Sequence, residues 1–330
     1  MRFSERITTL ETQMRLPLPR TKTRWLTHFG LWVVCFFMMI PALYAVQVAT
    51  LNILQSLQAP PVLFPPGGER ESLEDFFSSP LGSMPDNMAV LFGAPDRSTA
   101  SLGQQGIQQS SGPSRFNFGQ LMYNTTIVTL VVVIGKTSLA LLAGLAFVYF
   151  RFRGKWLLFF VVLLTLLMPT EIIIKPLRDL MVGLGWRQMN PKLALTMPFM
   201  ASAIGAFLFR QHFSNIPREL AEAAQIDGAT SIRFLFSVLI PMSWNVIAAH
   251  SMIQFIYMWN QYLWPTFILQ DVTSPEQLIQ VGVRSASLSG QFTNYGLLMS
   301  AGIVASIPPL VLFLILQKQF MNGFALTQDK

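Results

Sequence analysis

Three long stretches of this chain contain no Asp, Glu, Lys or Arg: Trp25 to Gly68, Met242 to Gln270 and Ser285 to Gln317. A helix on the surface of a soluble protein keeps a polar face, so runs of this length do not fit an ordinary soluble core. A helix needs about 20 mostly apolar residues to cross the hydrocarbon core of a bilayer. Six segments meet that length, at 25–50, 120–150, 156–174, 193–210, 242–268 and 293–317. Charged residues make up only 12% of the chain and hydrophobic ones 52%, against about 25% charged in a soluble domain. The expected fold is an all-α integral membrane protein with six transmembrane helices.

The first apolar run follows a basic leader at 1–24 that carries Arg2, Arg6, Arg15, Arg20, Lys22 and Arg24. The run at 25–50 exceeds the length of a signal-peptide core, so it reads as a retained anchor. Short flanks rich in Lys and Arg mark the cytoplasmic side. The leader, Arg151, Arg153 and Lys155, and Lys318 and Lys330 all fall on one side of a six-span chain. Both termini are therefore expected in the cytoplasm, including a tail at 321–330. Residues 51–118 face outward and the loop at 211–241 faces inward. Lys175, Arg178, Arg187 and Lys192 run against this orientation. The net charge of +7 is mostly charge on the cytoplasmic side, which meets anionic lipid. It does not point to nucleic acid. Cys35 is the single cysteine and lies within the first span, so neither a disulfide framework nor a thiolate metal site is present.

Residues 51–118 form the one long polar segment. Pro60, Pro61, Pro65, Pro66, Gly67 and Gly68 open it, and Gln104 to Pro113 close it. Both ends read as linker. Leu73 to Phe77 and Asn87 to Phe92 carry enough apolar residues for short helices; the segment reads either as a mostly disordered external loop or as helices that cap the spans or touch an external partner. The five remaining spans read as one core domain at 119–320.

The loop at 211–241 carries Glu219-Leu-Ala-Glu222-Ala223-Ala224-Gln-Ile-Asp227-Gly228-Ala229. Ser214 and Asn215 are candidate N-caps, and Pro217 suits a first helical turn. Glu219 and Glu222 suit the positive end of the helix dipole. Leu220, Ala223, Ala224 and Asp227 share one helix face, whose small side chains let another surface come close. Gly228 ends the helix, and Thr230 or Ser231 caps a second one that leads to Pro241. On spacing alone, an ordinary amphipathic connector is the favoured reading.

The loop closely resembles the Glu-Ala-Ala motif of ABC importer permeases. Glu222, Ala223, Ala224, Asp227, Gly228, Ala229 and Phe234 match that pattern, and Ile240-Pro241 stands where the family has Leu-Pro. The likeness extends to Asn124, Arg151-Phe-Arg-Gly154, Met168-Pro-Thr-Glu171, Phe207 to Gln211, Trp259 to Pro265 and Gln319 to Gly323. Together these resemble the carbohydrate-uptake, binding-protein-dependent permeases across roughly residues 25–325. Within that family, Gly135-Lys136, Phe207 to Gln211 and Trp259 to Pro265 are most similar to the second permease of glycerol-3-phosphate importers.

The resemblance implies a multi-pass subunit of a bacterial inner membrane that carries a sugar or sugar-like solute. Its implied partners are a homologous second permease, two ATPase subunits and an external solute-binding protein. ATP and Mg would sit on the ATPases, and this chain would bind no cofactor. Glu219, Glu222, Ala223, Ala224, Asp227, Gly228, Ala229 and Pro241 would form the ATPase-coupling loop.

No catalytic constellation or metal site is evident. The chain also lacks the G-x-x-x-x-G-K-[ST] loop that cradles ATP phosphates. Lys136, Glu171, Trp259 and Asn260 are the candidate path residues. Lys136, near the middle of the second span, either faces the path or packs at a subunit interface. Glu171 and Lys175 either pair along their helix or line the external mouth. Trp259, Tyr262 and Trp264 suit an interfacial aromatic belt or stacking on sugar rings. Asn260 and Gln261 need polar partners at that depth, and His250 reads as hydrogen-bonded structure. The rival functions are a stand-alone secondary carrier and a non-catalytic assembly subunit of a membrane enzyme. Pro169, Pro198 and Pro308-Pro309 could break spans as a carrier requires, but intramembrane carboxylates are nearly absent.

Overall fold

The structure is a computed structural model that describes residues 23–51, 81–94, 117–271, 274–286, 288–289 and 292–325. Most of the leader and of the 51–118 segment, with its expected helix at Leu73 to Phe77, lies outside the described residues. So do the last five positions of the tail.

Helix α1 (Thr23–Ala49) is apolar all round and exposed along most of its length. It joins the rest of the molecule at its C-terminal end, where Val48 and Ala49 are buried. There the Asn87 amide donates to the carbonyls of Ala49 (3.1 Å) and Leu51 (3.0 Å). Asn87 belongs to α2 (Met84–Leu91), close to the helix expected at 87–92.

Helix α3 (Phe118–Tyr149) is the central strut. Its 32 residues span about 48 Å. Asn117 caps it by accepting a hydrogen bond from the Gln120 amide at 3.3 Å. At the other end Lys155 donates to the carbonyls of Val148 and Phe150, a favourable position for a cation at a helix C-terminus.

The next three expected spans are bent. The third runs through α4 (Lys155–Leu164) and a 3₁₀ turn (Thr165–Leu167), breaks at Pro169, and resumes as α5 (Thr170–Gly183). Short helices α6 (Trp186–Met189) and α7 (Pro191–Thr196) follow, with a 3₁₀ turn at Met197–Phe199. The chain then bends by 43° into α8 (Ala203–Ser214). The loop helix α9 (Arg218–Ile226) leads to α10 (Ser231–Phe234), a π-helical turn (Leu235–Leu239) and α11 (Ile240–Met242). An 83° bend at Ser243 precedes α12 (Trp244–Trp259).

The segment expected as one span at 242–268 thus ends at Trp259, and α13 (Leu263–Leu269) is a separate short helix. After α14 (Ile279–Ala286), a hairpin pairs β1 (Leu288–Ser289) with β2 (Phe292–Thr293), a small departure from an all-helical chain. Helix α15 (Tyr295–Ala325) ends the described chain and runs past the expected tail boundary at 320. The molecule is an otherwise all-helical membrane protein. Among the described residues it has three uninterrupted helices long and apolar enough to cross a bilayer, or up to six such spans if each bent pair counts as one.

Pro308 and Pro309 do not break α15, a break that the rival carrier reading would have required. Proline lacks the N–H that would pair with the carbonyl four residues earlier. For Pro309 that carbonyl is Ala305, and the Trp259 indole N–H donates to it at 2.9 Å. The same substitution recurs in α7. Pro198 cannot pair with Ala194, and the Trp264 indole donates to the Ala194 carbonyl at 3.2 Å. Trp259 and Trp264 are 1% and 2% exposed. They are therefore interior cross-braces rather than an interfacial aromatic belt; Tyr262 beside them is partly exposed.

Small residues let the helices close up. A Cβ at Gly205 of α8 would lie 2.7 Å from the Ala140 Cβ of α3 and 2.9 Å from a ring carbon of His250. Close backbone approach at such positions is how helices pack in lipid, where burial of apolar surface supplies no drive.

Candidate functional site

Two places carry function-bearing residues: the loop that holds α9, and a polar cluster midway along α3 and α12.

Helix α9 begins after Pro217. No side chain caps it, because Ser214 ends α8 and Asn215 follows as its C-cap. Its C-terminus is closed tightly. The Gly228 amide donates to the Gln225 carbonyl (3.0 Å) and the Ala229 amide to the Ala224 carbonyl (2.9 Å). This is the Schellman arrangement, with Gly228 in the left-handed conformation at φ +70°. Thr230 then caps α10 by accepting from the Arg233 amide at 3.3 Å. The sharp turn between two helices is thus built from Asp227, Gly228 and Thr230.

The inward face of α9 differs from the expected one. Ala221 is the buried residue, and Ala224 packs half-buried beside it. They rest on a core of Leu141, Leu145, Phe209, Phe213, Phe234, Leu235 and Leu239. Ala224 therefore faces the body rather than sharing one free surface with Leu220, Ala223 and Asp227. The outward surface holds Glu219, Leu220, Glu222, Ala223, Gln225, Ile226 and Asp227. Ile226 is 86% exposed, forgoing about 1.5–3 kcal/mol of burial for a side chain of its size. Nothing in the four-residue periodicity singled out Ala221. Its signal was the apolar pair it makes with Ala224, one helical turn later.

The loop is firmly rooted. Phe234 packs edge-on against Tyr149 of α3 at 5.2 Å between ring centroids, and Leu235 and Leu239 are fully buried. Pro241 follows the π-helical turn and is exposed at the bend. On the same end of the molecule the Arg210 guanidinium lies over the rings of Phe159 (4.2 Å) and Trp156 (5.2 Å).

The second cluster centres on Lys136, which is 6% exposed. Its ammonium donates to Gln254 Oε1 at 2.8 Å and lies 4.9 Å from the ring centre of Tyr257. Among the described residues the ion pair present is Arg178–Asp179, so Lys136 has no carboxylate partner there. A lysine at the centre of a membrane helix costs about 2.5–3.5 kcal/mol on insertion scales. A cation–π contact recovers about 0.5–2 kcal/mol. Thr137, next to Lys136, and Ser251, about one turn before Gln254, share a hydrogen bond. His250 stacks edge-on against Phe209, but its Nε2 makes no hydrogen bond, so the expected hydrogen-bonded role is not seen at that atom.

The remaining candidates lie apart from Lys136. Asn260 is exposed at the end of α12. It donates to the Ile256 carbonyl and accepts from Gln280 at 3.2 Å. With Trp259, Gln280, Ser306 and Pro309 it lines a cavity of about 290 Å³. Glu171 opens α5, and its side chain lies outside the described residues. Asn124 was noted only for its resemblance. It donates to the carbonyls of Pro275 (2.7 Å) and Gln277 (3.2 Å), and with Thr125 it clips the entry to α14 onto α3.

Residues 136–324 match the family described as the binding-protein-dependent transport system inner membrane component. The chain belongs to this family. It is therefore an inner membrane component of a transport system, and its loop at 218–229 and its Lys136 both fall within the matched range.

The sn-glycerol-3-phosphate transport system permease protein UgpE of Yersinia enterocolitica is 38% identical over 219 residues, covering 66% of this chain and 75% of that protein. The protein of the same name from Shigella flexneri is 36% identical over the same length and shares. In overall fold the chain is similar to the crystal structure of a bacterial ABC transporter that imports the acidic polysaccharide alginate. That likeness has a TM-score of 0.66 at 18% identity and covers 92% of this chain and 100% of that one.

Proposed function

We propose that this chain is the membrane-spanning permease subunit of an ABC importer for a sugar or sugar-like solute. In this reading it crosses the membrane six times, with each bent helix pair counting as one span. Both termini and α9 are cytoplasmic, and α2 is external. The positions of α2 and α9 support that orientation: Val90 and Leu91 of α2 pack near the Phe118 end of α3, and α9 packs near its Leu145 end.

The observation that carries the reading is the uncovered face of α9. A short helix with an exposed isoleucine is locked by a glycine turn onto the buried core of the spans. Leu220, Ala223 and Ile226 lie exposed together on that face, and we read it as a protein contact. The fitting occupant is a cytoplasmic ATPase subunit, which binds ATP and Mg while this chain binds neither. A homologous second permease, a second ATPase and an external solute-binding protein complete the assembly. ATP-driven closure of the ATPases moves α9, and the π-helical turn and α12 carry that movement into the spans. This is alternating access, in which this chain supplies the path and performs no catalysis. Relatives named as sn-glycerol-3-phosphate permeases support a phosphorylated polyol among the candidate solutes. Lys136 and Asn260 are the path residues retained. Trp259 is committed to Ala305 and positions the helices instead.

The test is co-purification. A tagged chain expressed with its neighbouring subunits is expected to bring an ATPase out of detergent in stable proportion. Ile226→Asp is expected to lose the ATPase while the chain stays in the membrane at normal level. Full ATPase retention by that variant would reject the docking face.

A further inference from the structure

We infer that Lys136, oriented by Gln254 and roofed by Tyr257, recognises the negative charge of the transported solute, a phosphate or carboxylate on a sugar-like skeleton. The inference rests on the permease reading and names the solute class that it leaves open.

Lys136 sits near the middle of α3, about 20 Å along the helix from its nearer end. Its only hydrogen-bond acceptor among the described residues is the neutral Gln254 amide oxygen at 2.8 Å. An ammonium has three donors, so two remain for a ligand. Three other cations of the helices are engaged differently. Arg178 has Asp179 and the Phe267 carbonyl, Lys155 caps α3, and Arg210 lies on two rings at the end of α8. Lys136 alone among these is central, buried and held only by a neutral amide and a ring.

Its cover is thin. Tyr257 is 41% exposed, and its neighbours Ile253 and Ile256 are also exposed on the same side of α12. The ammonium thus lies one ring below a surface that this chain leaves open. In a low-dielectric path a lone cation attracts an anion far more strongly than it would in water. A phosphate or carboxylate arriving there would take the two free donors while Gln254 fixes the third.

The complete importer, reconstituted with its binding protein and ATPase, provides the test. Its probes are labelled sn-glycerol 3-phosphate, glucuronate and glucose: one phosphate, one carboxylate and one neutral solute. The wild type is expected to accumulate one of the two anions in an ATP-dependent manner. Lys136→Met should lose at least ~10-fold of that uptake, as expected when a buried charge loses its partner. Lys136→Arg should keep a measurable part.

Gln254→Glu gives the lysine an internal counter-charge. It should insert normally yet lose anion uptake to a similar degree; a purely structural lysine would leave uptake unchanged. Wild-type uptake by Lys136→Met or by Gln254→Glu overturns the inference. So does uptake of glucose alone, or of none of the three probes. In each of those cases the permease reading still stands if the ATPase co-purifies with the tagged chain.

Discussion

At the scale of single residues, two tryptophans do work that their position in the sequence does not announce. Each donates its indole N–H to a carbonyl that a proline in another helix has left unpaired: Trp259 for Pro309 and Trp264 for Pro198. An unsatisfied buried carbonyl costs about 1–3 kcal/mol, though hydrogen bonds inside membrane proteins measure nearer ~0.6 kcal/mol on average. Trp259→Phe keeps most of the ring and removes the donor, so a loss of about 1 kcal/mol is expected. Pro309→Ala restores the missing backbone donor. In that background Trp259→Phe should cost measurably less. Thermal unfolding of the four proteins in detergent closes the cycle, and equal losses in both backgrounds would refute the exchange. The sequence showed the prolines and the tryptophans separately. Their pairing depends on which helices touch, and no local pattern encodes that.

At the scale of elements, the apolar runs were legible and their breaks only partly so. Helices α1 and α3 appear close to the expected spans because long apolar runs leave little else to form; α15 starts where expected but continues past 317 to Ala325. Pro169 and Pro198 mark real interruptions. Pro308-Pro309 does not interrupt α15, and Trp259 of another helix takes up the Ala305 carbonyl that Pro309 leaves unpaired. The bend at Ser243 had no such marker. It follows the π-helical turn at Leu235–Leu239, and Pro241 lies just before it. The turn between the two helices of the loop was readable from Gly228 and Thr230, because both act on their own neighbours; the start of α9 was not, since Pro217 rather than Ser214 or Asn215 precedes it. The inward face of α9 was not, because Ala221 is chosen by the core beneath it. Lys136 was legible as a charge out of place. Gln254 and Tyr257, more than a hundred positions away, were not.

At the scale of the whole molecule, orientation and coupling are the two claims that matter. Orientation is read with single cysteines in a Cys35→Ser background and an impermeant thiol reagent on intact cells. Phe92→Cys, beside α2, should label, and Gln225→Cys, on α9, should label only after the membrane is breached; the reverse pattern inverts the topology. In the proposed function, coupling runs through the left-handed turn at Gly228, with φ +70° and open space around a Cβ placed there. A β-branched residue resists that conformation, so Gly228→Val should deform the turn between α9 and α10 without any clash. The most direct measurement is ATP hydrolysis and solute uptake recorded together in proteoliposomes holding the complete importer. The account predicts that the Gly228→Val complex inserts and hydrolyses ATP while uptake falls severely. Wild-type uptake by that complex would contradict the role of this loop as the link between ATPase and path.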